Sequence, residues 1–135
     1  MTTRDLLRNQ LTTQSLAPAA RVNGTATGTT VDLRGFDAAV ITVSFGAYTD
    51  GTHTPSVLQS ADNVNFVPCV YGTDLDGPNN LTAVSSSAGA NTTQQIAYIG
   101  TQRYLAVVMT TTGATTGALS AASVTAGFPH NGPTM

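Results

Sequence analysis

The stretch SFGAYTDGTHTPSV, residues 44–57, places an acid and an imidazole three positions apart, Asp50 and His53. A carboxylate that orients an imidazole can activate a hydroxyl or thiol nucleophile, and both groups can ligate a metal ion. The pair also lies between two runs of alternating apolar residues, and an Asp-Gly step in that setting signals a hairpin turn. No serine or threonine of the chain stands in a GxSxG or comparable nucleophile setting. The sequence therefore favours a hairpin turn here and predicts no catalytic residue.

The remaining metal-ligating residues are few. His53 and His130 are the only imidazoles and Cys69 is the only thiol, whereas a structural zinc site takes four such ligands at defined spacing. The stretch GTDLDGPNN offers Asp74, Asp76 and Asn79 as oxygen ligands for calcium, but the chain has no glutamate for the last position of an EF-hand loop. An ordinary turn is favoured there, and Cys69 is predicted to pack as a small hydrophobe. We expect no metal and no cofactor.

The composition narrows the class of protein. The 135 residues carry 9% charged side chains and a net charge of −2, with neither lysine nor glutamate. Five scattered arginines are too few to neutralise a nucleic-acid backbone, and no apolar run approaches the ~20 residues of a transmembrane helix. A single cysteine forms no intrachain disulfide, which fits folding in a reducing cytosol. The chain is expected to be one domain with a neutral, hydroxyl-rich surface, with no nucleic-acid and no membrane partner.

Strand signals recur over residues 29–129. Short alternating or apolar runs are separated by Gly, Pro, Asp and Asn at near-regular spacing, which is typical of a β-sandwich or barrel. The predicted strands are 29–35, 38–46, 55–60, 65–72, 93–100, 103–110 and 117–127, with a long polar loop at 72–92. The strand at 103–110 is apolar on both faces, so its second face needs a cover from the N-terminal segment or from another subunit.

The first 28 residues differ in character from the rest. Thr2 and Asp5 have the spacing of a capping box, and Leu6, Leu7 and Leu11 fall on roughly one helical face. Such a short helix is unstable alone in water, so its leucines must dock on a partner. The sequence thus predicts an N-terminal arm at 1–28, a short helix plus an extended tether, ahead of a sandwich at 29–129 and a C-terminal tail at 130–135. The anchor to partner subunits is predicted to be Arg4, Leu6, Leu7, Arg8 and Leu11, and a disordered tail is the alternative.

Several strings of the chain resemble a group of small head proteins of tailed bacteriophages. They occur in the order DLRGFDAAVI at 32–41, TDGTHT at 49–54, SADNVNF at 60–66, YIGTQRYLAVV at 98–108, TGATTGA at 112–118 and GFPH at 127–130. The leader RDLLRNQ with SLAPA, within 4–19, is similar to theirs as well. These are structural strings and not catalytic ones.

The resemblance implies a capsid decoration, or cement, protein. Such proteins are β-sandwiches, often jelly-roll-like, that sit as trimers on the outside of the virion head and clamp neighbouring major capsid proteins. It therefore implies a homotrimer that binds the major capsid protein, is located on the capsid surface after synthesis in the host cytoplasm, and is not an enzyme. The alternatives are another virion component (neck, head–tail joining or tail) and a carbohydrate-binding β-sandwich.

Overall fold

The structure is a computed structural model that describes residues 9–129. This part of the chain is built from strands, with one short 3-10 helix at Ser87–Gly89. No helix in it has the length and apolarity needed to cross a bilayer. The strands are β1 Gln10–Arg21, β2 Gly24–Thr27, β3 Val31–Asp32, β4 Phe36–Tyr48, β5 Thr52–Ser60, β6 Val67–Pro68, β7 Leu75–Asp76, β8 Thr93–Tyr98, β9 Tyr104–Thr112 and β10 Ala118–Pro129.

The strands form two antiparallel sheets. Sheet A has the order β1-β10-β4-β8-β7, and sheet B has the order β2-β9-β5-β6 with β3 also paired to β9. The pairing is nested along the chain: β1 pairs with β10, β2 with β9, β4 with β8, and β5 with β6. This nested antiparallel pairing is the topology of a jelly roll, so the predicted all-β, jelly-roll-like sandwich is confirmed.

The core lies between the two sheets and follows from period-two alternation. In β4 the side chains of Ile41, Val43 and Phe45 are buried, and the residues between them face out. Strand β9 contributes Leu105, Val107 and Met109, all fully buried against that face. Burying these β-branched and aliphatic side chains supplies the main driving force for folding, at roughly 25 cal/mol per Å² of apolar surface.

One side of the sandwich is closed by Ser15 in β1. Its backbone carbonyl accepts from the Thr29 N–H at 2.7 Å, and its hydroxyl donates to the Thr29 carbonyl at 2.8 Å. The same hydroxyl accepts from the N–H of Val107 at 3.0 Å, in the gap of the β9 ladder between β2 and β3. Gly28 lies beside Ser15 in this gap. A larger residue does not fit there, because a Cβ would lie 2.5 Å from the Ser15 hydroxyl. Sheet A is thereby tied to sheet B through a single buried side chain.

The predicted tether is wrong for residues 10–27. They form β1 and β2, the edge strands of the two sheets, and Leu16 of β1 is only 2% exposed. The physical reason is that a strand at a sheet edge buries few side chains, so its sequence reads as polar and extended. Residues 1–8 and 130–135, and with them the predicted helix and tail, lie outside the described residues.

One further expectation about strands is corrected and another is met in part. The strand predicted at 65–72 is reduced to Val67–Pro68, since the chain then leaves sheet B and Pro68 has no N–H for a further ladder bond. The second face of β9 is covered within the single chain: Ala106 and Val108 are 2% and 7% exposed, flanked by residues of β5 and of β2, which belongs to the N-terminal segment 1–28.

The Ser15 bridge gives a direct test of this closure. Ser15→Ala removes the acceptor of the Val107 N–H and leaves a buried donor without a partner. We expect a loss of about 1–3 kcal/mol in the free energy of unfolding, measured by urea denaturation. The matched control is Ser56→Ala, at an exposed serine on the outer face of β5, expected to change stability by less than ~0.5 kcal/mol. Equal effects of the two substitutions would contradict the bridging role.

Candidate functional site

Asp50 lies where two connections of the jelly roll run side by side. The segment after β4 carries the chain to β5 in sheet B, and the segment after β9 carries it to β10 in sheet A. The Asp50 carboxylate accepts from three successive N–H groups of the second connection, those of Thr115, Thr116 and Gly117, the last at 2.6 Å. These bonds lower the pKa of Asp50 from its ordinary value. One carboxylate thus joins both connections.

His53 adds further hydrogen bonds where Asp50 joins the two connections. Its ring is fully buried, with Nε2 2.9 Å from the Asp50 carbonyl and Nδ1 3.1 Å from the Thr111 hydroxyl. A carbonyl can only accept, so Nε2 carries a proton and donates to it; in the neutral ring, Nδ1 then accepts from the Thr111 hydroxyl. Tyr48 stacks edge-on against the ring at 6.0 Å and donates to the carbonyl of Gly51. Every polar atom of the imidazole is engaged within the protein.

The geometry fits a structural role, and we call the hydrogen-bonded group of Asp50, His53 and Thr111 the lock. The imidazole is fully buried and Thr111 is only 2% exposed, so a substrate cannot reach either of them. The predicted turn at Asp50-Gly51 is present, with Gly51 at a positive φ of 92°. It is not a hairpin, because β4 and β5 belong to different sheets. Turn residues in the sequence identify a reversal but not the strand that pairs afterwards.

The opposite end of the sandwich has a second link between the sheets. Tyr98 of β8 donates its hydroxyl proton to Gln59 of β5 at 2.7 Å and accepts from the N–H of Gln102 at 2.9 Å. Nearby, Arg103 makes a two-bond contact with Asp32 at 2.8 and 2.7 Å. That contact lowers the pKa of Asp32 to about 2. A cleft of about 330 Å³ beside this link is lined by Leu33, Phe36, Asp37, Ala38, Tyr98 and Gly100–Arg103.

The loop considered for calcium is ordered by its own contacts. The Asp74 carboxylate accepts from the Val70 N–H at 3.0 Å, and Asp76 lies exposed in β7. Within residues 9–129, no three His, Cys, Asp or Glu side chains come close enough together to hold a metal ion. Cys69 is half-buried against the core, and burial together with the charge of Asp74 raises the pKa of its thiol to about 12.

The outer face of sheet A is broad and uncharged across β10, β4 and β8, and Asp76 of the edge strand β7 lies beside Ala97 at its margin. The side chains that point outward from β10, β4 and β8 are small, hydroxyl-bearing or amide, with Val40 and Leu119 38% and 47% exposed. They are Leu119, Ala121, Ser123 and Thr125, then Val40, Thr42 and Ser44, then Thr93, Gln95 and Ala97. Cross-strand bonds fix the polar ones, such as that between Gln95 and Thr42 at 3.2 Å. Interface cores are depleted of charge in this way.

A second surface lies at the edge where β6 and β7 end the two sheets. Five of the nine large apolar side chains that are exposed in the described residues lie there, and we call them the apolar edge: Val64 (77%), Val67 (54%), Val70 (57%), Tyr71 (40%) and Ile99 (53%). Sequence reasoning placed Val67 and Val70 in a longer strand and missed this surface. Its signal was Pro68, which interrupts the apolar run.

The predicted anchor residues are placed only in part. Leu11 lies in β1 instead of a helix, paired with Ala126, and is 53% exposed. Arg4, Leu6, Leu7 and Arg8 lie outside the described residues, so their role stays a prediction.

Acid sensitivity tests the carboxylate contacts. The pKa values of Asp32, Asp50 and Asp62 are all lowered in the folded chain, Asp62 through hydrogen bonds from the N–H groups of Asn65 and Val64. A lowered pKa contributes stability above the unfolded value of about 3.9, and that contribution is lost as the pH falls towards about 2. We expect the free energy of unfolding to decrease over this window, and to decrease less steeply in Asp50→Asn, which is also less stable at pH 7. Denaturation curves at several pH values measure both, and an equal slope in the variant would contradict the Asp50 contribution.

No protein-family model and no curated protein matches the chain. Among solved structures, the chain is similar to the crystal structure of the SPBc2 prophage-derived protein YomS, with a TM-score of 0.54 and 15% sequence identity. The match covers 87% of this chain and 93% of that one. At this identity the likeness shows a shared fold.

Proposed function

We propose that this chain is a decoration, or cement, protein of a tailed-bacteriophage head. It binds the outside of the capsid as a homotrimer, stabilises contacts between major capsid proteins, and does so without catalysing a reaction. Its location is the capsid surface of the virion. The resemblance of its strings to phage head proteins supports this proposal, and so does the fold shared with a prophage-derived protein.

The observation that carries the proposal is the outer face of sheet A, which is uncharged across β10, β4 and β8. A rigid sheet that presents Thr, Ser, Ala and Gln side chains, with Val40 and Leu119 protruding, suits a dry contact with another protein surface. The reactive groups of the described residues point the other way, since His53 and Thr111 are buried in the lock between the sheets. The surface is therefore built for contact, and we assign this face to the capsid.

Trimer formation explains how a neutral face binds firmly. A surface with few charges gains little from electrostatic steering and must rely on area and fit. Three linked copies raise the effective concentration of the second and third contacts, so that weak single contacts add to a strong total. A few residues per copy reaching onto a neighbour add further area.

The test uses full-length protein and phage heads that lack it. We expect a native mass of three chains and saturable co-sedimentation with heads. Val40→Asp, in the middle of the outer face of sheet A, is expected to lower the affinity at least tenfold, about 1.4 kcal/mol. Ser56→Asp, on the outer face of sheet B, is the matched control and is expected to bind as the parent chain does.

Three results would count against the proposal. A monomer that does not bind heads contradicts the function as a whole. A ring of different symmetry located at the neck or tail contradicts the decoration role. Equal binding by Val40→Asp and Ser56→Asp contradicts the assignment of the outer face of sheet A.

A further inference from the structure

We infer that the apolar edge is the docking surface for the N-terminal segment, residues 1–8, of a neighbouring copy of the chain. This inference rests on the proposed association of several copies and names the surface that holds them together. It follows from the exposure of the edge, the charge around it and the reach of the segment.

Hydrogen bonds hold together the part of the apolar edge around Val70, Tyr71 and Ile99. Asp74 connects its parts, since its carboxylate accepts from the Val70 N–H at 3.0 Å and its carbonyl accepts from the Ile99 N–H at 2.8 Å. Tyr71 is fixed by its hydroxyl, which donates to the carbonyl of Gly77. Contiguous apolar surface on a soluble protein marks an interaction site.

The chain segment that builds the edge carries charges of one sign. Between residues 60 and 99 the chain has three aspartates, Asp62, Asp74 and Asp76, and no basic residue. Two copies that met edge to edge through the same surface would bring these carboxylates together, which disfavours that contact. The complementary partner is apolar and basic.

Residues 1–8 have that chemistry. Their sequence, MTTRDLLR, holds Leu6 and Leu7 between Arg4 and Arg8, with Asp5 the single acid. Two leucines suit the exposed valines, and two guanidinium groups suit the flanking carboxylates. Arginine also retains favourable contacts at partly desolvated interfaces.

The segment is poorly placed to reach the edge of its own molecule. A row of paired residues crosses sheet A from Leu11 through Ala126, Ala39 and Tyr98 to Leu75. Four strand spacings make this about 19 Å. From Leu11 to Leu6 the chain spans at most about 18 Å when fully extended. Gln10 is held in β1 by its pairing with Gly127, so the chain would have to run straight across the sheet, at right angles to β1, to bring even Leu6 near β7. We therefore place the leucines on a neighbour.

Disulfide trapping in the full-length chain tests this inference. One thiol is introduced by Leu7→Cys and one by Val70→Cys, with the natural thiol removed by Cys69→Ser. Under mild oxidation we expect covalent dimers and trimers on non-reducing gels. In the control the second thiol is placed by Val22→Cys, at a side chain that is 51% exposed but lies away from the edge. Trapping is expected to be at least tenfold slower there.

The outcomes separate this inference from the proposed function. Equal trapping in the control, a disulfide within one chain, or no trapping overturns the docking surface. If the same samples still form trimers and bind heads, the proposed function stands without it. If the chain stays monomeric and does not bind heads, both fail. Adding Val67→Ser and Ile99→Ser to the trapping variant is expected to slow interchain trapping at least tenfold, and an unchanged rate overturns the apolar contact.

Discussion

Backbone groups that lose their strand partners where a jelly roll changes sheets must find other hydrogen bonds, and this constraint shapes the whole molecule. Side chains supply those bonds at three places. Ser15 accepts from the Val107 N–H in the gap of the β9 ladder, the Asp50 carboxylate accepts from the turn before β10, and the Tyr98 hydroxyl accepts from the Gln102 N–H at the opposite end. In the described residues, no buried side-chain nitrogen or oxygen lacks a partner. With no disulfide available, these polar links and the apolar core together define one arrangement of the two sheets.

The same constraint determines what the surface has left to offer. The imidazole and most of the carboxylates are occupied in turns and links, as with Asp62, which holds the β5–β6 turn through the N–H groups of Val64 and Asn65. The outward positions of β10, β4 and β8 are neutral and mostly small. A protein with its charged groups distributed in this way has little means of recognising a partner by charge, except where carboxylates lie together at an edge. Recognition then depends on flat area, on apolar side chains and on the number of copies.

Alternation in the sequence was sufficient to predict most of the sandwich. Every second residue is buried from Ala39 to Phe45 in β4 and from Ala118 to Ala126 in β10, so period two is visible over seven to nine residues. In β1 only Ser15 and Leu16 are buried, because the strand lies at an edge and is interrupted by two register shifts, and it was therefore interpreted as a tether. Asp50-Gly51 identified a turn, but the pairing of the flanking strands depends on contacts distant in sequence. The apolar edge was hidden for the same reason: whether Val67 and Val70 are buried depends on where the chain turns after Pro68.

The two open sides of the sandwich are closed by unlike means, and this difference bears on assembly. On the β1 side, the hydroxyl of Ser15 closes the gap. On the other side, the crossing from β6 to β7 closes it and leaves apolar side chains exposed among carboxylates. A contact that joins one side to the other uses two different surfaces on each copy, so it is heterologous and can be repeated from copy to copy. Such a contact ends only when the rotation between copies closes a ring. A ring built from this heterologous contact leaves the outer face of sheet A of every copy free, and that face can then bind a common surface.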